Sequence, residues 1–399
     1  MTLPRRAPLD GVRVLDLSRV LAGPFCAQNL ADLGADVIKV ERPGTGDDTR
    51  AWGPPYLRDT QGQDTSESAY YLSTNRNKRS IAIDLATPEG AAAVRKIASQ
   101  CDVLIENFKV GGLKQYGLDY ESLKEEIPGL IYCSITGFGQ DGPFANRPGY
   151  DFMVQGMGGL MSITGERDGM PGAGPQKAGV AVTDVITGLY AALAIMGAIQ
   201  ERHRSGLGQF IDLALLDCHI SMLANQNLNY MTSGVAPTRA GNAHQNVVPY
   251  QVFEAKDGYL IVAVGNDSQF RSYSQAIGHP ELATDPKYQT NSTRITNRDE
   301  LIPFLEKIML TRTRDEWIST LEKVGVPCGP IQTIDQVFDH PQVKSRQIWR
   351  EIPHPVAGVS PTTANPINYS DTPIQYTRHA PGLGEHTDEI LREFGLKTD

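Results

Sequence analysis

Taken one at a time, the residues with chemical potential are ambiguous. Asp184 follows Thr183 where a long apolar run begins, and Asp and Thr are both ordinary helix N-caps. Arg76-Asn-Lys78-Arg79 is a basic cluster ahead of a strand-like run and reads as a solvated turn unless a ligand sits on it. Gln155-Gly-Met-Gly-Gly159 reads as a helix end with tight backbone packing. The eight histidines show no H-E-x-x-H spacing, and Cys26, Cys101, Cys133, Cys218 and Cys328 form no C-x-x-C pair. The first strand-to-helix turn, Leu21-Ala22-Gly23-Pro24, lacks the G-x-G-x-x-G fingerprint. Walker A and G-x-S-x-G sequences are absent as well. Spacing alone therefore points to no metal, nucleotide cofactor or serine nucleophile.

The elements that must position these residues are easier to read. Residues 11–17 (GVRVLDL) form an apolar run of the kind buried in parallel sheets. Phe25–Leu33 can form a helix ending at Gly34, and Asp36–Val40 supplies a second strand, completing a βαβ unit. Ser80–Asp84, Val103–Ile105 and Leu130–Ile135 continue the strand pattern. Thr87-Pro88 opens a helix as N-cap and N1, with Val94, Ile97 and Ala98 on one side. A long helix over about 179–200 leads to a strand at Phe210–Ala214.

This pattern predicts an open α/β large domain over 1–224, with a parallel, Rossmann-like sheet. A smaller α/β domain is expected over 225–330. It starts from an antiparallel ribbon (251–253 and 259–264, joined at Asp257-Gly258) and includes a helix capped by Thr313 and Glu316, with Trp317, Leu321 and Val324 on one face. Residues 331–399 read as a connection, polar and wandering over 345–380, then a last helix at 385–394 that returns to the large domain.

The 399 residues suffice for two domains. A net charge of −9 argues against nucleic-acid and membrane-surface partners. An odd number of scattered cysteines points to a reduced, cytoplasmic enzyme. The strand pattern from residue 11 is expected to leave no room for a signal peptide, and no apolar run looks long enough to span a bilayer.

Several stretches together carry a resemblance: LDGVRVLDLSRVLAGP (9–24), LADLGADVIKVERPGTGDDTR (30–50), NRNKRSIAIDLATPEG (75–90), DVLIENF (102–108), YCSITGFGQDGP (132–143), GVPCGPI (325–331) and LGEHTDEIL (383–391). In this order the chain resembles the class III CoA-transferases, a group that includes formyl-CoA, carnitine-CoA and succinyl-CoA:glutarate transferases. The segments around Arg147-Pro-Gly-Tyr150, Asp184 and Gly241–Phe253 look closest to the succinyl-CoA:glutarate branch.

The resemblance implies an interlocked homodimer and acyl-CoA and carboxylate substrates, with neither metal nor nucleotide cofactor. It makes Asp184, in Ala181-x-x-Asp184-x-x-x-Gly188, the nucleophile, and Tyr150 an active-site residue. CoA contacts are expected at Val20, Leu21 and Ala22, at Arg42, at Ile83, Leu85 and Ala86, and at Asn107, Phe108 and Lys109. Gln115 stands where some relatives carry an arginine; Lys109 and Lys114 flank it. Gly241, Asn242 and His244 align with a lid loop. Arg19, Arg147 and His244 are candidates for a second substrate carboxylate.

Two other readings stay open. An α-methylacyl-CoA racemase of the same fold would carry a G-H-D motif, and here Gly149-Tyr150-Asp151 places a phenol, of pKa about 10, where that histidine would be. A CoA-binding protein that has lost its activity would keep the same fold.

Overall fold

The structure, a computed structural model, describes residues 6–396. These residues form two compact units. The first runs to Leu160 and takes in Ala178–Ser233 and everything from Pro341; the second comprises Met161–Lys177 and Gly234–His340. The divisions thus fall about ten residues beyond the expected 224/225 and 330/331, and 161–177 groups with the second unit.

The first unit is built on a parallel sheet of β1 (Arg13–Asp16), β2 (Asp36–Glu41), β3 (Lys78–Ala82), β4 (Val103–Glu106), β5 (Ile131–Thr136) and β6 (Phe210–Ala214). Its spatial order is β3-β2-β1-β4-β5-β6. Because strand side chains alternate, Val14 faces one side and Leu15 the other.

On Val14's side pack α1 (Ala22–Asp32) and, after α2 (Pro88–Ala98) and α3 (Asp151–Met157), the long α4 (Val182–Ser205), through Cys26, Leu30, Ala191, Ile195 and Ala198. On Leu15's side lie Val94 and Ile97 of α2, together with Ile390 and Phe394 near the chain's end. Thr87 caps α2 as expected, accepting from the Gly90 amide at 3.0 Å. After β6 the chain continues through α5 (Leu215–Met222) and α6 (Asn225–Ser233).

Four expectations need correction. The basic cluster is no solvated turn: Arg76, Lys78 and Arg79 are all buried. Arg76 pairs with Asp32, Lys78 with Asp16 at 2.9 Å, and Arg79 with Asp36, Glu389 and Glu393. Each cation found a carboxylate distant in sequence, which local reading cannot supply. The wandering segment 345–380 contains an antiparallel hairpin, Trp349–His354 with Gly358–Thr363. Val324 lies beyond its helix and is exposed. Finally, α4 is long and apolar enough by length and composition to cross a bilayer. Here one side of it is built into the core, while Leu189 and Leu193 face outward.

The second unit holds an antiparallel sheet of β7 (Tyr250–Ala255), β8 (Gly258–Ala263) and β9 (Cys328–Pro330). Its core joins Phe253, Leu260 and Val262 to Phe270, Tyr273, Leu305, Trp317 and Leu321 of the following helices. The expected capping box of Thr313 and Glu316 is formed.

Candidate active site

Asp184 is not the helix cap that its local sequence suggests. It is the third residue of α4, whose N-cap position is Ala181 and receives no side-chain bond. The cap comes instead from α3: Asp151 Oδ1 accepts from the Thr183 amide at 2.8 Å and from the Asp184 amide at 3.4 Å. Gln155 holds Asp151 Oδ2 at 2.7 Å. From α5, the Nδ1 of the buried His219 lies 2.7 Å from Thr183 Oγ1. With its capping need met elsewhere, the Asp184 carboxylate is left for other work.

Two close approaches of backbone put it there. A Cβ on Gly188 would lie 2.7 Å from the Ala22 carbonyl oxygen, so α4 crosses α1 in near contact one turn after Asp184. A Cβ on Gly137 would lie 2.5 Å from the Gly149 Cα, which lets Pro148-Gly149-Tyr150 lie directly on the end of β5.

The result is a cavity of 480 Å³ in the first unit, at the carboxyl ends of β4 and β5. This is where open α/β sheets bind ligands. Asp184, Tyr150, Val20, Leu21, Ala22, Asn107, Phe108, Lys109, Arg19 and Arg147 all line it. An adjoining cavity of 170 Å³, sharing Arg19, Asp48 and Phe108 with the first, is lined by Arg42, Ile83, Leu85 and Ala86. Residues far apart in sequence and expected to touch one ligand therefore meet along one continuous surface.

Lys114 and Gln115 stand apart. Both are exposed and line neither cavity, and the Gln115 amide donates to Gly112 O at 3.0 Å. Gly241, Asn242 and His244 belong to the second unit. There Gly241 adopts φ +61°, Asn242 lines a separate cavity, and His244 Nδ1 accepts from the Asn246 amide at 2.9 Å.

The electrostatics favour an unusual carboxylate. Burial, with the neighbouring Asp151 adding to it, pushes the Asp184 carboxyl up to about 7. An ionised Asp184 is thus poorly solvated, which raises its nucleophilicity. Asn107, Phe108 and Lys109 reach the site from the end of β4. The two ends of the Asn107 side-chain amide, however, are engaged with the Arg19 backbone, at 3.0 and 2.7 Å. Arg19 itself pairs with Asp48 at 2.8 Å, whereas Arg147 rests on Phe144 and has no ion pair among the described residues.

Sequence reading overlooked three participants. Asp151 was visible only as part of a motif. Trp52 lines the cavity, and Tyr70 packs edge-on against it at 5.1 Å. The Tyr70 phenol is pushed up to about 12 by burial and by the charges of Asp184 and Asp151. Its one signal was the pair Tyr70-Tyr71 on a short helix, where Tyr71 is fully buried and its neighbour must point elsewhere. Among the described residues, no group of three His, Cys, Asp or Glu side chains is placed to hold a metal ion.

A buried aspartate thus stands at the carboxyl edge of a parallel sheet and faces an elongated two-part cavity. The chain belongs to CoA-transferase family III, whose model matches residues 9–387. It is 51% identical to a succinate–glutarate CoA-transferase of Agrobacterium fabrum, over 98% of this chain and 96% of that protein. It is 45% identical to the human succinyl-CoA:glutarate CoA-transferase, over 97% of this chain and 86% of that one. A crystal structure of a CAIB/BAIF family protein from Brucella suis, 50% identical, superposes with a TM-score of 0.84, covering 98% of this chain and all of that one.

Proposed function

We propose that this CoA-transferase moves CoA from succinyl-CoA to a dicarboxylate, glutarate being the first choice, with Asp184 as nucleophile. The observation that carries the reading is the buried Asp184 carboxylate opening on the same cavity as the 20–22 turn. The Asp184 carboxylate attacks the thioester carbonyl; the C–S bond breaks, CoA thiolate leaves and an acyl–aspartyl anhydride remains. The thiolate then attacks the aspartyl carbonyl, releasing the donor acid and leaving an aspartyl-CoA thioester. The acceptor carboxylate displaces the thiolate to form a second anhydride. Attack of the thiolate on the acceptor's carbonyl yields the new acyl-CoA and regenerates Asp184. Each intermediate stays activated, so the sequence of steps needs no energy source beyond the thioester.

In this reading CoA lies along Val20–Ala22, Arg42, the Ile83–Ala86 stretch and Phe108. Arg147 takes the second carboxylate of the substrate, since Arg19 is already neutralised by Asp48. Tyr150, in the position of the racemase histidine, favours transfer over α-proton exchange. The strand order supports a Rossmann-like large unit. We further infer a homodimer, supported by the outward apolar face of α4 (Leu189, Leu193) and by Leu228, Tyr230 and Met231 on α6. A cytoplasmic setting fits five cysteines that all stay free.

The test combines two experiments. Asp184→Ala should abolish transfer from succinyl-CoA to glutarate while CoA still binds. Hydroxylamine added to enzyme and succinyl-CoA should label a peptide containing Asp184. Residual turnover within about ten-fold of wild type, or labelling elsewhere, would remove Asp184 from the mechanism.

A further inference from the structure

The turn that leads from β1 into α1 contains the strained residue Val20, at φ +72°. A β-branched side chain in the left-handed region is a genuine outlier, kept only where surrounding bonds enforce it. Here the backbone of residues 18–20 is held by side chains at each step. Ser18 donates its amide to Asp16 Oδ1 at 3.0 Å, and its carbonyl accepts from Lys39 Nζ at 2.9 Å. The Arg19 amide and carbonyl are both taken by the Asn107 side chain. The Val20 amide is shared between Asp47 Oδ1 and Oδ2, at 3.2 and 3.3 Å.

Asp47 is itself fixed. It is buried, pairs with the equally buried Lys39 at 2.9 Å, and accepts from the Thr49 amide and hydroxyl at 3.0 and 2.7 Å. Against burial, which would raise it, Lys39 and Thr49 hold the Asp47 carboxyl down to about 2, so its charge is permanent near neutrality. No side chain of the reaction sequence above needs this buried pair. The pair lines the smaller cavity and touches the strained turn, and Val20 lines the cavity that holds Asp184.

We propose that Asp47, backed by Lys39 and joined by Asn107, is a positioning residue for acyl-CoA: the clamp keeps Val20 left-handed so that the 20–22 turn is preformed for the CoA moiety. This rests on the reading that CoA lies along that turn. Without the clamp Val20 relaxes toward negative φ, and part of the binding energy must then restore the turn.

Asp47→Asn keeps the shape but removes the charge. It should raise KM for succinyl-CoA about ten-fold, leaving kcat within about three-fold and KM for glutarate unchanged. Glycine adopts φ +72° without strain, so Val20→Gly introduced into Asp47→Asn should recover much of the lost KM. Asn107→Ala leaves the buried Asp47–Lys39 pair intact and should raise the same KM, and Val20→Gly should recover it there too, which loss of a direct contact from Asn107 would not allow. Melting temperatures are measured alongside. A merely structural clamp would lower the melting temperature with KM unchanged, and that result, or no recovery by glycine, overturns the proposal. Hydrogen exchange of the 17–24 peptide separates the two readings. Succinyl-CoA should protect it in the wild type; absence of protection would refute the CoA placement itself, whereas protection with normal KM in the variants refutes only the clamp.

Discussion

Asp184 carries a cost that can be measured. Its carboxyl is pushed up to about 7 by burial and by Asp151, against an ordinary value of about 4. A group that binds its proton more tightly when folded stabilises the fold fully below its unfolded pKa and loses that contribution as pH rises through its folded pKa. Stability attributable to Asp184 should therefore fall between about pH 4 and pH 7 and stay low above. Asp184→Asn should stabilise the protein at pH 8 by on the order of 2 kcal/mol, with little effect at pH 4, read from thermal melts at both values. In the proposed mechanism the same shift governs activity, because only the ionised form of Asp184 attacks. We expect kcat/KM for succinyl-CoA to drop below about pH 7. Asp151→Asn, which removes the second contributor, should move that acid limb to lower pH. An unmoved limb would mean that Asp151 acts on Asp184 only as a cap.

Among the elements, α4 has to sit close enough to α1 for Asp184 to face the turn of residues 20–22. Gly188 makes that possible, since any Cβ there meets the Ala22 carbonyl at 2.7 Å. Gly188→Ala should push the helices apart, costing about 1–3 kcal/mol by overpacking and lowering kcat more than it raises KM, as steady-state kinetics and denaturant titration would register. The strands, α2 and the helix at Arg314–Glu322 were legible beforehand because their signals are local: apolar runs, a Thr-Pro start, a capping box. The Arg76–Arg79 cluster was misread because burial of a cation depends on carboxylates brought from Asp16, Asp32, Asp36 and the last helix. The 349–363 hairpin was missed because its Pro and Thr content masks the alternation of an exposed two-stranded ribbon. At the site, most of the residues that the resemblance implied line the two cavities. It could not show that Asn107 holds the backbone of Arg19, or that the cap of α4 is delivered from α3 by Asp151.

At the scale of the whole molecule, the outward face of α4 asks for a partner. Its inner residues Ala191, Ile195 and Ala198 are buried in the core, yet Leu193 is 67% exposed and Leu189 45%. α6 adds Leu228, Tyr230 and Met231, each more than half exposed. Exposed apolar side chains in this number are costly in water and ordinarily mark an interface. A homodimer through this face would also account for the apolarity that lets α4 meet the criterion for a membrane span, because a helix buried on one side by its own core and on the other by a second copy is apolar all round. If the homodimer uses this face, two-fold symmetry brings the same patch from both copies into play, and one substitution is counted twice. Leu193→Glu should then dissociate the dimer, seen as a halved mass in sedimentation equilibrium at micromolar concentration. The melting temperature should become independent of protein concentration, whereas in the wild type it should rise with concentration. A variant that keeps the wild-type mass would place the interface elsewhere and leave the outer face of α4 to a membrane or another partner.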